Sequence, residues 1–324
     1  MMVMGQVELR EESRQRDRIY SRFAALTGMR RIRSGVSVAL MLALPVLNGC
    51  LWHTRRVPQA KMPAKVLSAP PEQLVDAINQ QYDAIHSMSA TVTFTATEGG
   101  SIKGRETTYT SFSGYILLRK PESLRVIGFL PVVHTRAFDM ASDGSTFKLW
   151  IPPKNKVIEG TDTEPKPPSA NAFENMRPYI FFDSLLIRKI GADDELLPTA
   201  DSKTEVNPKT KKLELIPEYL LTVLNRQGTS NILHAKRVIY FSRIDLRPVE
   251  EDIYDQNGQI QTIATYGPLQ TFGTEHFPGT ITIKRPLEQY QILISFQKLT
   301  VNQQLNDEQF ELTIPDGTPV QKLP

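Results

Sequence analysis

GYILLRKPESLRVIGFLPVVHTRAFDMASDGSTFKLW, residues Gly114–Trp150, is the stretch whose reading decides the fold. Short apolar runs alternate in it with turn residues, first Lys120-Pro121-Glu122-Ser123 and later Ser142-Asp143-Gly144-Ser145. Apolar runs punctuated in this way by Pro, Asp and Gly form antiparallel hairpins, because those residues end a ladder and set the turn. One connection inverts the usual polarity. Gly128-Phe129-Leu130-Pro131-Val132-Val133 is apolar where connections are normally polar. Such a loop either tucks into a core or stays outside because something apolar must touch it.

Upstream, Pro71 to Ser87 places Leu74, Ile78, Tyr82 and Ile85 on one helical face, with Pro71 suited to the first turn. Met88 to Thr97 then alternates, with Ala90, Val92, Phe94 and Ala96 on one side and Ser89, Thr91, Thr93 and Thr95 on the other. Period two with β-branched residues is a half-buried strand. Thr107 to Leu118 is its expected partner. Downstream come a short strand from Lys156 to Glu159, a Pro-rich loop from Thr161 to Ala170, and an apolar helix from Met176 to Ile187. Gly191 to Lys212 is polar and reads as a surface excursion. Strands resume over 218–225, 232–243, 249–254, 259–266, 280–284 and 291–302, with Asn257-Gly258 a strong hairpin signal. The expectation is a mainly β (α+β) domain of about 11 antiparallel strands with two or three helices, continuous over 71–324.

The net charge of +3 suggests a basic protein, but its distribution corrects that. Residues 1–49 hold eight Arg and four acidic residues, a net of +4, which leaves −1 for everything from Cys50 onward. A near-neutral body has no electrostatic footprint for nucleic acid. The chain has one cysteine, so intramolecular disulfides and Cys-based metal sites are excluded. Met29-Arg30-Arg31-Ile32-Arg33 is a basic segment before the apolar run Val36–Leu47. That run falls short of the roughly 20 residues needed to span a bilayer, and fits a secretory signal. Residues 1–49 therefore read as a signal peptide whose true start is Met29. The run ends in Leu47-Asn48-Gly49-Cys50, which resembles the lipobox of bacterial lipoproteins; the resemblance implies cleavage before Cys50 and lipidation of its thiol. Leu51 stands where an Asp would retain such a protein in the inner membrane. The rule implied is an outer-membrane location on the periplasmic face. Residues 50–70 read as the lipidated cysteine and a flexible tether.

Gly114-Tyr115-Ile116-Leu117-Leu118-Arg119-Lys120-Pro121 resembles the "glycine, apolar strand, basic pair, proline" segment of the LolA/LolB lipoprotein-carrier superfamily. Ser142-Asp143-Gly144 followed by Phe147-Lys148-Leu149-Trp150 is similar to its "S-D-G, aromatic strand" hairpin. The ending around Phe310, Pro315-Asp316-Gly317 and Val320 resembles that of the carriers. The apolar loop, Phe129, Leu130, Pro131 and Val132, falls where LolB carries a protruding apolar loop, so the likeness is nearer to LolB. The resemblance implies an incomplete, half-open β-barrel closed by helices over a hydrophobic cavity. It also implies a monomer that takes acyl chains of lipoproteins or lipids from a soluble periplasmic carrier and delivers them to the outer membrane. Alternation and the resemblance together nominate Phe94, Tyr115, Leu117, Val126, Phe138, Met140, Leu149 and Phe182 as the cavity lining.

For chemistry the sequence offers little. The five histidines, His53, His86, His134, His234 and His276, have no spaced His or Cys partner of the metal-site kind. No G-x-S-x-G elbow is present. The acidic runs Asp193-Asp194-Glu195 and Glu250-Glu251-Asp252 read as solvated surface. No catalytic residue, metal or cofactor is expected, and binding is the function class that remains. Two other binding classes stay open: a lipid-sensing or structural envelope lipoprotein of the same fold, and a carrier of some other lipid.

Overall fold

The computed structural model describes residues 54–161, 176–226 and 231–323. The signal segment and Cys50 lie outside the described residues, as do most of the Pro-rich loop and the Gln227-Gly228 turn. The elements below belong to one unit, Ala60–Pro324.

Helix α1 (Pro71–Ala84) opens the domain with Pro71 at its first position, and its buried residues Leu74 and Ile78 form one face. The strands that follow are β1 (Ser87–Gly100), β2 (Arg105–Thr108), β3 (Phe112–Arg119), β4 (Ser123–Phe129), β5 (Arg136–Ser142), β6 (Thr146–Ile151) and β7 (Lys156–Thr161). Helix α2 (Pro178–Leu185) separates these from β8 (Glu195–Val206), β9 (Leu213–Arg226), β10 (Leu233–Ser242), β11 (Pro248–Tyr254) and β12 (Ile260–Tyr266). The last are β13 (Leu269–Phe272), β14 (Glu275–Pro278), β15 (Thr280–Arg285), β16 (Tyr290–Val301) and β17 (Val320–Lys322).

Fifteen strands form one sheet in the order β17-β7-β6-β5-β4-β3-β1-β16-β15-β12-β11-β10-β9-β8, with β2 pairing only to β1. The mainly β architecture is as the sequence leads one to expect: one large curved sheet, two α-helices among the described residues, and no closure of the sheet into a barrel. Strand β1 sits mid-sheet, with Phe94 opposite Phe112 of β3 on one side and Ile294 of β16 on the other. Its alternation sends Ala90, Val92 and Phe94 to the inner face, where Ile116, Leu118, Val126, Met140 and Leu149 join them. Burying a large apolar side chain contributes about 1.5–3 kcal/mol, so one face of this sheet carries most of the stability. Helix α2 lies across that face, touching β4, β5 and β15, with Phe181 and Phe182 both 2% exposed.

Three parts of the chain depart from the expectation. The segment 191–212 is no loose excursion: residues 195–206 form β8, paired residue for residue with β9 from Glu195↔Leu224 to Val206↔Leu213. Nearly all its side chains are exposed, so neither face alternates in polarity and the period-two signal is missing. The segment before α1, read from the sequence as part of a flexible tether, is hydrogen-bonded to β9 and to the residue after β10. The Lys61 amide donates to the Leu213 carbonyl at 2.8 Å, and the Leu67 amide donates to that of Arg243 at 2.7 Å. Finally, β13 and β14 form a separate two-stranded hairpin, and β17 adds in parallel to β7, Val320 opposite Val157.

The C-terminal segment reaches β7 across the outer face. Arg119 donates to the Leu305 carbonyl at 2.8 Å, and Arg125 donates to that of Gln309 at 2.9 Å. Arg125 is itself held by two hydrogen bonds to the buried Asp139 carboxylate, at 3.0 and 2.8 Å. The strap thus rests on an ion pair as well as on apolar contact, with Leu305 5% exposed and Leu323 packed against the core.

Candidate functional site: an apolar cavity and its rim

Between the inner face of the sheet and α2 lies a cavity of about 600 Å³, within the roughly 300–1,000 Å³ of small-molecule sites. Its aromatic wall is Phe94, Phe112, Phe138 and Phe181; Met176 and Ile292 add to it. The sheet supplies Phe94, Phe112 and Phe138 from three strands, and α2 supplies Phe181. Phe94 and Phe112 have ring centroids 5.4 Å apart, and Phe138 lies 6.2 Å from each, edge-on to Phe112. Offset and edge-to-face packing of this kind adds about 0.5–1.5 kcal/mol per pair.

Two glycines let these rings lie against the backbone. A Cβ on Gly114 would stand 2.4 Å from the Phe94 ring, and one on Gly128 would stand 2.5 Å from Phe138 and 2.9 Å from Phe112. The glycines are therefore seats for the aromatic wall, which gives a physical reason for the one that opens the quoted stretch. Gly128→Ala is expected to push both rings off their positions and to lower stability by about 1–3 kcal/mol, the usual cost of overpacking. Urea denaturation reads this out; an unchanged midpoint would mean that the rings do not rest on Gly128.

The rim is the apolar loop. Leu130 and Pro131 line the cavity mouth, while Val132 is 90% exposed and Val133 is 63% exposed. The turn is tied back by the Leu130 amide to the Thr135 carbonyl at 2.7 Å and the His134 amide to the Leu130 carbonyl at 3.1 Å. Val132 takes φ 72°, a left-handed conformation that a β-branched residue rarely adopts. One loop thus serves both sides, its base facing the cavity and its tip facing outward.

The nominated lining residues divide by location. Phe94 and Phe138 face the cavity. Val126, Met140, Leu149 and Phe182 are buried on the inner face without reaching the cavity wall. Tyr115 and Leu117 belong to the other face and need correcting: the inward residues of β3 are Ile116 and Leu118, each 0% exposed, while Tyr115 is 47% exposed. Register fixes this, because Ile116 stands opposite the inward Val126 and Leu117 opposite the outward Arg125. A one-residue error in parity turns a strand over. Phe129 goes with Tyr115, stacked edge-on at 5.6 Å on the outer face, so of the loop's nominated residues only Leu130 and Pro131 line the mouth. Phe112, Phe181 and Met176 were not foreseen. Phe181 carried a signal, lying inside a helix too apolar for a surface position.

Charges pair where α2 and the segment after it meet the sheet, half-buried around Arg188 and fully buried around Arg237. Arg188 donates to Asp183 at 2.5 Å and to Glu122 at 2.6 Å. Arg237, 4% exposed, donates to Glu251 at 3.3 Å and to the Lys189 carbonyl at 3.1 Å. The Tyr266 hydroxyl donates to the other Glu251 oxygen at 3.4 Å. The run Glu250-Glu251-Asp252 is therefore not simply solvated surface, since Glu251 is 1% exposed. Burial pushes the Glu251 carboxyl up to about 7, with Arg237 opposing and the nearby Asp183 reinforcing the shift. Burial likewise raises Asp183 against the pull of Arg188. This cluster fastens the segment after α2 to β10 and β11. Among the described residues no three His, Cys, Asp or Glu side chains gather as a metal site would require.

No family model and no curated protein matches the chain. Among solved structures it is similar to a LolA superfamily protein from Nitrosomonas europaea, at 12% identity over 76% of this chain and 99% of that one, with a TM-score of 0.44. It is also similar to a DUF1329 family protein from Desulfovibrio piger, at 14% identity over 74% of this chain and 95% of that one, TM-score 0.47. A third is an outer membrane lipoprotein-sorting protein domain from Vibrio parahaemolyticus, at 12% identity over 74% and 94%, TM-score 0.41. Likenesses at this level lend the chain no activity, and what the site does is argued from its own residues.

Proposed function

We propose that this chain is a lipid-anchored envelope protein that holds acyl chains in the cavity and hands them on at a membrane surface. In this reading it receives lipoproteins or lipids from a soluble periplasmic carrier and delivers them to the outer membrane. The observation that carries the proposal is the loop, whose base lines an apolar cavity and whose Val132 tip is 90% exposed. Each CH₂ held in water costs about 0.8 kcal/mol, so an acyl chain crossing an aqueous space needs such a shelter. An apolar lip beside the mouth gives the chain a dry path between cavity and bilayer. The test is transfer of a fluorescent acyl ligand from the protein to acceptor liposomes. A folded protein that takes up no acyl probe would defeat the reading.

The anchor is a separate part of the same proposal. Cys50 is read as the lipidated residue, and Cys50→Ser is expected to leave an uncleaved precursor that incorporates no radiolabelled palmitate. Equal labelling of wild type and variant would remove the anchor and leave the cavity reading standing. With about 3.3–3.6 Å per extended residue, the stretch from Cys50 to the fastened Lys61 sets a short reach from the membrane, well under that of a tether running free to α1.

A further inference from the structure

The cavity opens at one end of the strands, and register fixes which turns share that end. Phe94↔Phe112, Gly114↔Gly128 and Glu98↔Tyr290 bring the ends of β1 and β4 beside the starts of β3 and β16. Three turns therefore project together: 101–104 between β1 and β2, 130–135 between β4 and β5, and 286–289 between β15 and β16. Each holds an aliphatic side chain out in water, Ile102 at 81% exposure, Val132 at 90% and Leu287 at 48%. The first turn stands between the other two. Ile102 borders a groove with Lys284 and Pro286, while Tyr109 and Thr110, just past β2, line the cavity mouth with Leu130 and Pro131. At the opposite end of β3–β6 the turns are Lys120-Pro121-Glu122 and Asp143-Gly144-Ser145, which carry no large apolar tip. Charge divides the same way. The formal net is zero over 98–109, +1 over 129–137 and +1 over 284–290, against zero for 119–123 and 142–146 together. Asp139, just outside these ranges, is matched by Arg125. Single aliphatic tips on separate turns make no continuous patch for a protein partner. A bilayer interface closes around each one, and cations beside them favour anionic headgroups.

We infer that this end of the domain docks on an anionic phospholipid bilayer through Ile102, Val132 and Leu287 together, which turns the cavity mouth to the membrane. The inference rests on the delivery reading above and adds to it the two tips outside the loop. One tip would let the domain pivot, whereas three spread from β5 to β15 hold its orientation. The full chain would be placed in phosphatidylcholine vesicles with or without phosphatidylglycerol. Single cysteines, introduced as Ile102→Cys, Val132→Cys, Leu287→Cys or, at the opposite end, Ser145→Cys, would carry a solvatochromic dye, with the unsubstituted chain as the blank for Cys50. Blue-shifted emission and quenching by spin-labelled lipid are expected at the three tips and not at Ser145. The ratio of docked to undocked dye should rise about tenfold with phosphatidylglycerol, as for two cations at an anionic surface, and fall back in high salt. The double variant Ile102→Asp with Leu287→Asp should slow transfer of the acyl probe at least about tenfold, the worth of one buried aliphatic side chain, with uptake unchanged. Quenching at Val132 alone, a response equal with and without phosphatidylglycerol, or a double variant that delivers normally would overturn the inference and leave the delivery reading standing. Water-like emission at all three tips in both vesicles would point to a protein partner, and would overturn the inference together with the loop's contact with the bilayer.

Discussion

Arg237→Met is expected to lower stability by about 3–5 kcal/mol at pH 8, the usual cost of stripping one partner from a buried ion pair, and by clearly less at pH 5. The variant leaves Glu251 1% exposed with only the Tyr266 hydroxyl donating to it. The sign follows from linkage. Burial already holds the Glu251 carboxyl up at about 7 in the folded protein, above its ordinary range. A carboxyl raised in this way contributes stability that is fully present below its unfolded pKa and is lost as pH rises through the folded one. Removing Arg237 takes away the main influence that lowers it, so the native state grips the proton harder and pays more for the anion at pH 8. Asp183, also raised by burial, adds in the same direction. Urea titrations at the two pH values test this. A loss as large at pH 5 as at pH 8 would mean that Arg237 acts through its bond to the Lys189 carbonyl and not through Glu251.

The second large effect separates the two halves of the rim loop. Val132→Glu is expected to abolish delivery to liposomes while changing stability by no more than about 0.5 kcal/mol, as for other surface positions. A side chain 90% exposed at φ 72° loses no packing on substitution, and glutamate has no β-branch to worsen the backbone strain. Leu130→Glu places a carboxylate on the cavity lip, so it is expected to weaken uptake of the acyl probe as well as delivery. Paired uptake and transfer assays distinguish the two. A Val132→Glu protein that delivers normally would show that the tip touches nothing apolar, and a melting temperature lowered by ten degrees or more, roughly a few kcal/mol, would show it to be part of the core.

Much of this was legible in the sequence for a reason that also marks where it stopped. Strands with one polar side, such as β1 with its Thr-rich outer face, announce both their existence and their orientation. Strand β3 announces only its existence. Tyr115 and Leu117 are as apolar as Ile116 and Leu118, because the outer face near β4 carries its own stack of Tyr115 and Phe129. Parity there is decided by Gly114, whose missing side chain makes room for Phe94, a constraint between residues twenty apart that no local pattern shows. Strand β8 fails in the opposite way, with no buried face to write a pattern. The cavity was foreseen as a kind of object but not as a place: its wall draws on β1, β3, β5 and α2, and only register brings Phe94, Phe112 and Phe138 together. The charged cluster was invisible because Glu251 reads as one acid among three until β10 and the segment after α2 cover it.

The pairing of β1 with β16, from Met88↔Val301 to Glu98↔Tyr290, puts the first and last long strands side by side in the middle of the sheet. Closing a loop over that span carries an entropic cost, and non-local strand pairing of this kind slows folding. Until β16 has been synthesised, β1 lacks one of its neighbours and the two halves of the sheet have no seam. The joint between the two halves is therefore a late, non-local pairing and not a local hairpin. Until that seam closes, the side of β1 that β16 covers is an unpaired strand edge, the kind of surface that invites mispairing.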